Sequence, residues 1–283
     1  HELRDATKML GFYYSLDAEK SEHVKEMIEK RVDWVDKLST NKLRSRDAWM
    51  SFFAQLLPGI NWGLVAVVLS PSVLQEAYQR LYFKMLPLLG VNRNIGKEWR
   101  TLPERYQGLG LPNFEVHSFS KKFHFLQRKW GEKDTTSAMA STAYESFMTE
   151  VGVYGNIFSR PWEKLKTLAT KSTWYYNLWE LCHRLDIGVE PENKYHIKPV
   201  RRGNQAIVEA VLEAGCSKRE LESVYLVRKS LNLIHVSDLV LGDGKTIATS
   251  LTEGTPTQPL ESEVRFPLEK PTRRDKQVWK KIA

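Results

Sequence analysis

The sequence predicts a mostly α fold: a multi-helix bundle, then a second helical module. A short β strand or hairpin is expected near the N-terminus and a β-hairpin near residues 236–251. Three observations predict it. Apolar residues recur at helical spacing through most of the 283 residues. Hydroxyl residues followed three positions later by Glu or Gln stand ahead of two of those stretches. Strand and tight-turn signals gather near the two ends.

Residues 7–16 are rich in aromatic and apolar side chains and precede Asp17, which reads as a strand ending in a turn. Val24, Ile28, Val32, Val35 and Leu38 then fall on one helical face, with Lys25, Glu26, Glu29 and Lys30 outside it. A second helix is expected from Arg46 to Leu57, stopped by Pro58-Gly59. Asn61 to Leu69 is almost wholly apolar and reads equally as a buried helix or a strand. Ser72 and Gln75 form a candidate capping box for a helix whose stripe is Leu74, Ala77, Tyr78, Leu81, Tyr82, Met85 and Leu88 or Leu89, with Gly90 as its stop.

Residues 91–115 carry Gly96, Gly108, Gly110, Pro103 and Pro112 and read as irregular. Helices are expected at about 116–130, 137–151 and 161–186, with a polar break from Glu132 to Ser137 and a loop from Glu190 to Asn204. Asn204 to Ala214 reads as a helix, and Ser217 with Glu220 caps another to about Leu231. Asp238 to Leu241 and Thr246 to Thr249 flank Gly242-Asp243-Gly244-Lys245, a hairpin signal. Beyond Leu251 the chain reads as extended. The expected divisions are 1–18, 19–115, 116–235 and 236–283.

Composition narrows the class of function. Net charge is +8, which fits a phosphate-rich partner. Cys182 and Cys216 are no disulfide framework, so a reducing, intracellular setting is expected, nuclear or cytoplasmic. No Cys or His pair has zinc-ligand spacing, and the longest apolar run, Leu64 to Leu69, is far short of the roughly 20 residues that span a bilayer. No paired carboxylates and no nucleophile-elbow pattern occur, so a complete active site is not expected, and neither is a cofactor.

The basic residues are informative by position. Lys42, Arg44 and Arg46 surround a helix start. Arg93, Lys97, Arg100 and Arg105 are interleaved with Trp99 and Tyr106. Lys121 and Lys122 precede Phe123, His124 and Phe125. Cations beside rings suit a surface that tracks a nucleic-acid backbone, and a solvated helix face over an aromatic core is the alternative reading. Residues 270–283 hold six cations against Asp275, five of the eight net charges. Residues 204–231 also read as a helix-turn-helix, with Lys218, Arg219, Arg228 and Lys229 on the second helix. Gly108 and Gly110 lack the third glycine of a dinucleotide loop and mark a close backbone approach.

Taken in order, several segments resemble the region after the palm catalytic motif of non-long-terminal-repeat retrotransposon reverse transcriptases, as in algal and protist retroelement proteins. Lys8-Met9-Leu10-Gly11-Phe12 is similar to the family's Lys-x-Leu-Gly-hydrophobic strand at the palm–thumb border. Asp47-Ala48-Trp49, Leu57-Pro58 and Trp62 resemble its thumb. Tyr106-Gln107-Gly108-Leu109-Gly110-Leu111 resembles its Tyr-Gly-Gly-Leu-Gly segment, with Gln107 in place of the first Gly. Arg202-Gly203-Asn204-Gln205-Ala206-Ile207, Glu220-Leu221, Val236-Ser237-Asp238-Leu239 and Gly242-Asp243-Gly244 resemble one subgroup's downstream module. Phe266-Pro267 and Trp279 resemble its closing pattern, with Phe266 in place of Trp.

The resemblance implies a thumb-like bundle and a parent RNA-directed DNA polymerase whose Mg²⁺ ions sit on palm aspartates upstream of His1. This fragment would then hold template and primer and be inactive alone, with the upstream palm and fingers as partners and no membrane partner. It places Tyr13 and Tyr14 near the primer and Lys42, Arg44 and Arg46 on phosphates. The remaining expected nucleic-acid contacts are Arg93, Lys97, Arg100, Arg105, Lys121 and Lys122. The rival expectations are a helical protein-interaction scaffold, a sequence-specific DNA binder through 204–231, and an inactive relic.

Overall fold

The computed structural model describes residues 7–9, 12–14, 21–40, 43–130, 132–190, 204–254, 266–267 and 269–283. The chain runs β1 (Thr7–Met9), β2 (Phe12–Tyr14), α1 (Ser21–Thr40), α2 (Ser45–Ser51), α3 (Leu57–Ala66), α4 (Pro71–Leu88), α5 (Lys97–Thr101), α6 (Phe114–Trp130) and α7 (Thr135–Val151). It continues through α8 (Trp162–Leu165), α9 (Trp174–Leu185), α10 (Ile207–Glu213), α11 (Lys218–Ser230), α12 (Thr249–Thr252) and α13 (Arg273–Ile282). The fold is mostly helical, as the periodicity predicts. Two compact units form: one of His1–Gln127 with Ser172–Leu185, the other of Arg128–Lys171 with Asp186–Ala283. These units differ from the divisions read at 18, 115 and 235. Among the described residues, no helix is long and apolar enough to cross a membrane.

In the first unit β1 and β2 pair antiparallel, with Lys8 opposite Tyr13 and Thr7 opposite Tyr14. Val35 and Leu38 bury the visible end of the α1 stripe. The helix expected to stop at Pro58-Gly59 instead runs on. Between α2 and α3, Phe52–Leu56 form a π-helical turn, in which Leu57 N–H donates to Phe52 O. Pro58 then falls in the first turn of α3, where an N–H is not needed. Phe52, Leu56, Ile60 and Leu64 stay on the core side throughout.

The apolar run after Asn61 is helix to Ala66 and then extended, Val67 lying at φ −88° and ψ 135°. Extended backbone packed inside a helical bundle exposes carbonyls that need donors. Lys122 Nζ donates to Val67 O at 2.8 Å, Trp174 Nε1 to Val65 O at 2.7 Å, and Asn177 Nδ2 to Leu69 O at 2.9 Å. The sequence places those donors on α6 and α9, far along the chain.

Helix α4 buries Leu74, Tyr78, Leu81, Tyr82, Met85 and Leu89, the expected stripe. Its cap is not Ser72 but Ser70, whose hydroxyl accepts from Val73 N at 3.4 Å. Pro71, with φ already near the helical value, starts the helix early. Downstream, the close approach at Gly108 is real: a Cβ there would stand 2.0 Å from Leu102 O.

In the second unit the polar break after Glu132 is a helix cap, Asp134 accepting from Ser137 N at 2.7 Å. The continuous helix expected at 161–186 is interrupted: a 3-10 turn, Lys166–Leu168, follows α8 in this unit, and α9, which belongs to the first unit, opens where Thr173 Oγ1 accepts from Tyr176 N at 3.3 Å. The capping box of Ser217 and Glu220 forms as expected.

In this unit one expectation is met only in reduced form and one fails. The β-hairpin at 236–251 is a 3-10 turn (Val236–Asp238), one antiparallel bridge between Val240 and Ile247, and α12. Asp243 folds the tip inward, accepting from Lys245 N at 3.0 Å and Thr246 N at 2.9 Å. Leu239, Ala248 and Leu251 are buried, a pattern that ladder alternation does not give. The tail expected to be extended ends in α13, with a capping box of Thr272 and Asp275. Ser223 of α11 donates to Asp275 at 2.5 Å, and Val278 and Trp279 are buried. Residues 191–203 and 255–265, which include most of the expected 190–204 loop and the start of the tail, lie outside the described residues.

Candidate nucleic-acid interface

The first unit presents its expected cations at the starts of short helices and in the turn after α4. Arg44 is the residue before α2 and Arg46 lies in its first turn, both exposed. A Cβ at Gly90 would stand 3.2 Å from Ser45 Oγ, so the start of α2 and the turn that leads to Arg93 are neighbours. Arg93 lies over the Phe83 ring at 5.1 Å, and Phe83 is 51% exposed. Arg105 lies over the Tyr106 ring at 4.8 Å, with Tyr106 57% and Trp99 53% exposed.

Among the described residues, no carboxylate stands within ion-pair distance of Arg44, Arg46, Arg93, Lys97 or Arg105. Other cations of the same unit are engaged: Arg80 with Glu76 at 2.7 Å, Lys84 with Asp36 at 3.6 Å, and Arg184 with Glu115 at 3.0 Å. Five exposed cations therefore face solvent without a described carboxylate partner, and two of them, Arg93 and Arg105, lie over exposed rings. Arg100 is half-buried, and its Nε has no hydrogen-bond partner among the described residues.

Lys121 is half-buried on α6. Its charge, added to the larger effect of burial, holds His117 below the ordinary imidazole value. His117 also hydrogen-bonds Asn61.

Lys122 is a correction. It is 0% exposed, spends its ammonium on Val67 O and Val65 O, and lies over the Trp174 ring at 5.4 Å. It closes the backbone of the 65–69 segment and reaches no phosphate. Adjacent lysines on a helix point about 100° apart, so one of the pair faces the core. Tyr13 and Tyr14 are placed by backbone in β2, and Lys42 lies outside the described residues.

The second unit corrects the helix-turn-helix reading. Arg228, expected on the reading face, is 0% exposed. It donates to Thr149 O at 2.8 Å, to Glu150 O, and to Leu233 O at 3.2 Å. It thus satisfies the last carbonyls of α7, which ends at Gly152 with φ +83°. A Cβ at Gly152 would stand 2.3 Å from the guanidinium carbon. Burial pushes the Arg228 pKa down to about 10. Helix α11 packs on α10 and α13, and the cations it leaves exposed are Lys218 and Arg219. On α13, Arg273, Arg274, Lys280 and Lys281 are exposed.

Sequence reasoning missed the amides Gln75 and Gln79, which line a cavity beside Lys97 and Arg100. Their i, i+4 spacing along the edge of the apolar stripe of α4 is a signal that was available. Among the described residues, no three His, Cys, Asp or Glu side chains converge as metal ligands. Compared with known proteins, the chain matches no family model, no curated protein and no solved structure.

Proposed function

We propose that this chain grips a nucleic-acid duplex by its backbone, as the template–primer-binding portion of a retrotransposon RNA-directed DNA polymerase. One observation carries the reading: Arg44, Arg46, Arg93, Lys97 and Arg105 have no described carboxylate partner, and exposed rings flank two of them. Unpaired surface cations release counterions when they meet phosphates, which makes binding strong at low salt and indifferent to sequence. Their mixture with aromatic side chains is the composition that backbone-tracking surfaces use. A thumb that holds an A-form-like duplex needs shape and charge, since the deep groove of such a duplex hides its base edges. The order of motifs along the chain supplies the polymerase context, and in this reading the catalytic carboxylates belong to a palm outside this sequence.

The test is competition. A labelled RNA–DNA hybrid is bound at 50 mM salt and challenged with unlabelled hybrid of the same or scrambled sequence. Equal displacement by both is expected. Displacement by one sequence alone would replace this reading with sequence-specific recognition.

A protein partner is favoured by a different observation. Met50 is 62% exposed and Leu43 44% exposed beside an open groove that Trp34 and Leu38 also line. A chain that binds no hybrid at any salt but captures a partner through Met50 would support the scaffold reading.

A further inference from the structure

A cavity of about 180 Å³ opens between α4, α5 and the start of α6. Its apolar wall is aromatic: Tyr78 and Phe114 stack on each other, and Tyr82 is held beside them by its hydroxyl, which donates to Pro112 O at 2.7 Å. Gln75 and Gln79 stand on the α4 side, one turn apart, and Lys97 and Arg100 stand on the α5 side. Glu115 also lines the cavity, but its carboxylate is engaged by Arg184 at 3.0 Å.

The chemistry is asymmetric in a useful way. Aromatic side chains accept a flat ring. Each amide offers both a donor and an acceptor to the edge of a heterocycle. Two cations on the far side suit an anion, and Arg100 Nε is a buried donor with no hydrogen-bond partner among the described residues. Pockets for whole drug-sized ligands measure about 300–1,000 Å³, so this one has room for a single ring system. The cations are also shared with the surface described above, since Lys97 belongs to both.

We propose that this cavity receives one unpaired nucleotide of a bound strand: the base against Tyr78, Tyr82 and Phe114, its edge on Gln75 and Gln79, and its phosphate on Lys97 and Arg100. The proposal rests on the nucleic-acid reading and deepens it. The exposed cations hold duplex, and the cavity holds the first base that leaves it.

The experiment uses the full chain and three ligands: a blunt RNA–DNA hybrid, the same hybrid with a four-nucleotide single-stranded extension, and that extension with abasic sites at equal charge. Wild type should bind the extended hybrid about tenfold tighter than the abasic one, the lower end of what one base contributes on an aromatic surface. The double variant Gln75→Ala/Gln79→Ala, at exposed helix positions, should lose most of that ratio while binding the blunt hybrid as wild type does. Equal affinity for the extended and abasic ligands, or an unchanged ratio in the double variant, would overturn the proposal. If the blunt hybrid is not bound, the duplex reading fails. The cavity is then judged by a single-stranded tetranucleotide against its abasic form, with the same ratio expected. Saturable binding of free adenosine monophosphate that equals binding of the strand would make the cavity a free-nucleotide site and overturn the strand assignment.

Discussion

Replacing Lys122 separates its role as a buried donor from any role at a phosphate. Its ammonium donates to Val67 O at 2.8 Å and its stem is fully enclosed, close to Trp174. Lys122→Met keeps most of the stem volume and leaves Val67 O without this donor, a cost of about 1–3 kcal/mol. Relief of the desolvation carried by a buried ammonium acts in the opposite direction. Lys122→Ala loses the donor and also three methylenes, about 2.4 kcal/mol further at roughly 0.8 kcal/mol each. Alanine should therefore be less stable than methionine by about 2–3 kcal/mol, read by urea denaturation. Under conditions where both variants are folded, they should bind the hybrid with wild-type affinity and salt dependence. Lys121→Ala is the control, with a log–log salt slope shallower by about 0.9 if Lys121 meets a phosphate. A folded Lys122→Met protein that loses that much slope, or Ala and Met variants of equal stability, would refute the reasoning.

The backbone offers another test. Gln107 sits at φ +64°, a left-handed position, so Gln107→Gly should stabilise the first unit by about 0.5–1 kcal/mol. Gly108→Ala should cost more than about 3 kcal/mol, because the added Cβ would meet backbone at 2.0 Å; equal denaturation midpoints for the two variants would contradict both assignments. Burial, the larger cause in each case, holds His117 and His235 below the ordinary value of 6.5. The unfolded chain then binds more protons as pH falls through 6.5, so stability should drop on acidification from 7.5 to 5.5. His117→Asn and His235→Gln should each flatten that profile. In the second unit, Trp279→Ala should cost about 3–5 kcal/mol, since the ring is fully buried; an unchanged midpoint would mean that α13 is not docked.

Periodicity made the helices legible: Leu74, Tyr78, Leu81, Tyr82, Met85 and Leu89 of the expected α4 stripe are buried, while Leu86, fully buried as well, lay outside the stripe as read. Caps were legible where the signal was local, as at Ser217 and Glu220, and were misread at Ser72 because Pro71 moved the start. What the sequence did not show depended on distant partners. Lys122 and Arg228 read as surface charge until the carbonyls of Val67 and Thr149 appear beside them. The fate of Pro58 depended on a π-helical turn, which has no simple periodic signature. The tail was misread by its charge: Val278 and Trp279 make a narrow apolar face that six cations conceal in any average. Exposure was legible for Arg44, Arg46, Arg93, Lys97 and Arg105, because cations at helix starts and turns need no buried partner to stay where they are.

The most direct test of the central claim is the affinity of the intact chain for an RNA–DNA hybrid from 50 to 200 mM salt. Five phosphate contacts predict a log–log slope near −4.5 and a loss of about 500-fold across that range. A variant with Arg44, Arg46, Arg93 and Arg105 changed to Gln should keep a slope of only about −0.9. A flat profile for the wild type, or one that those four substitutions leave unchanged, would contradict the account.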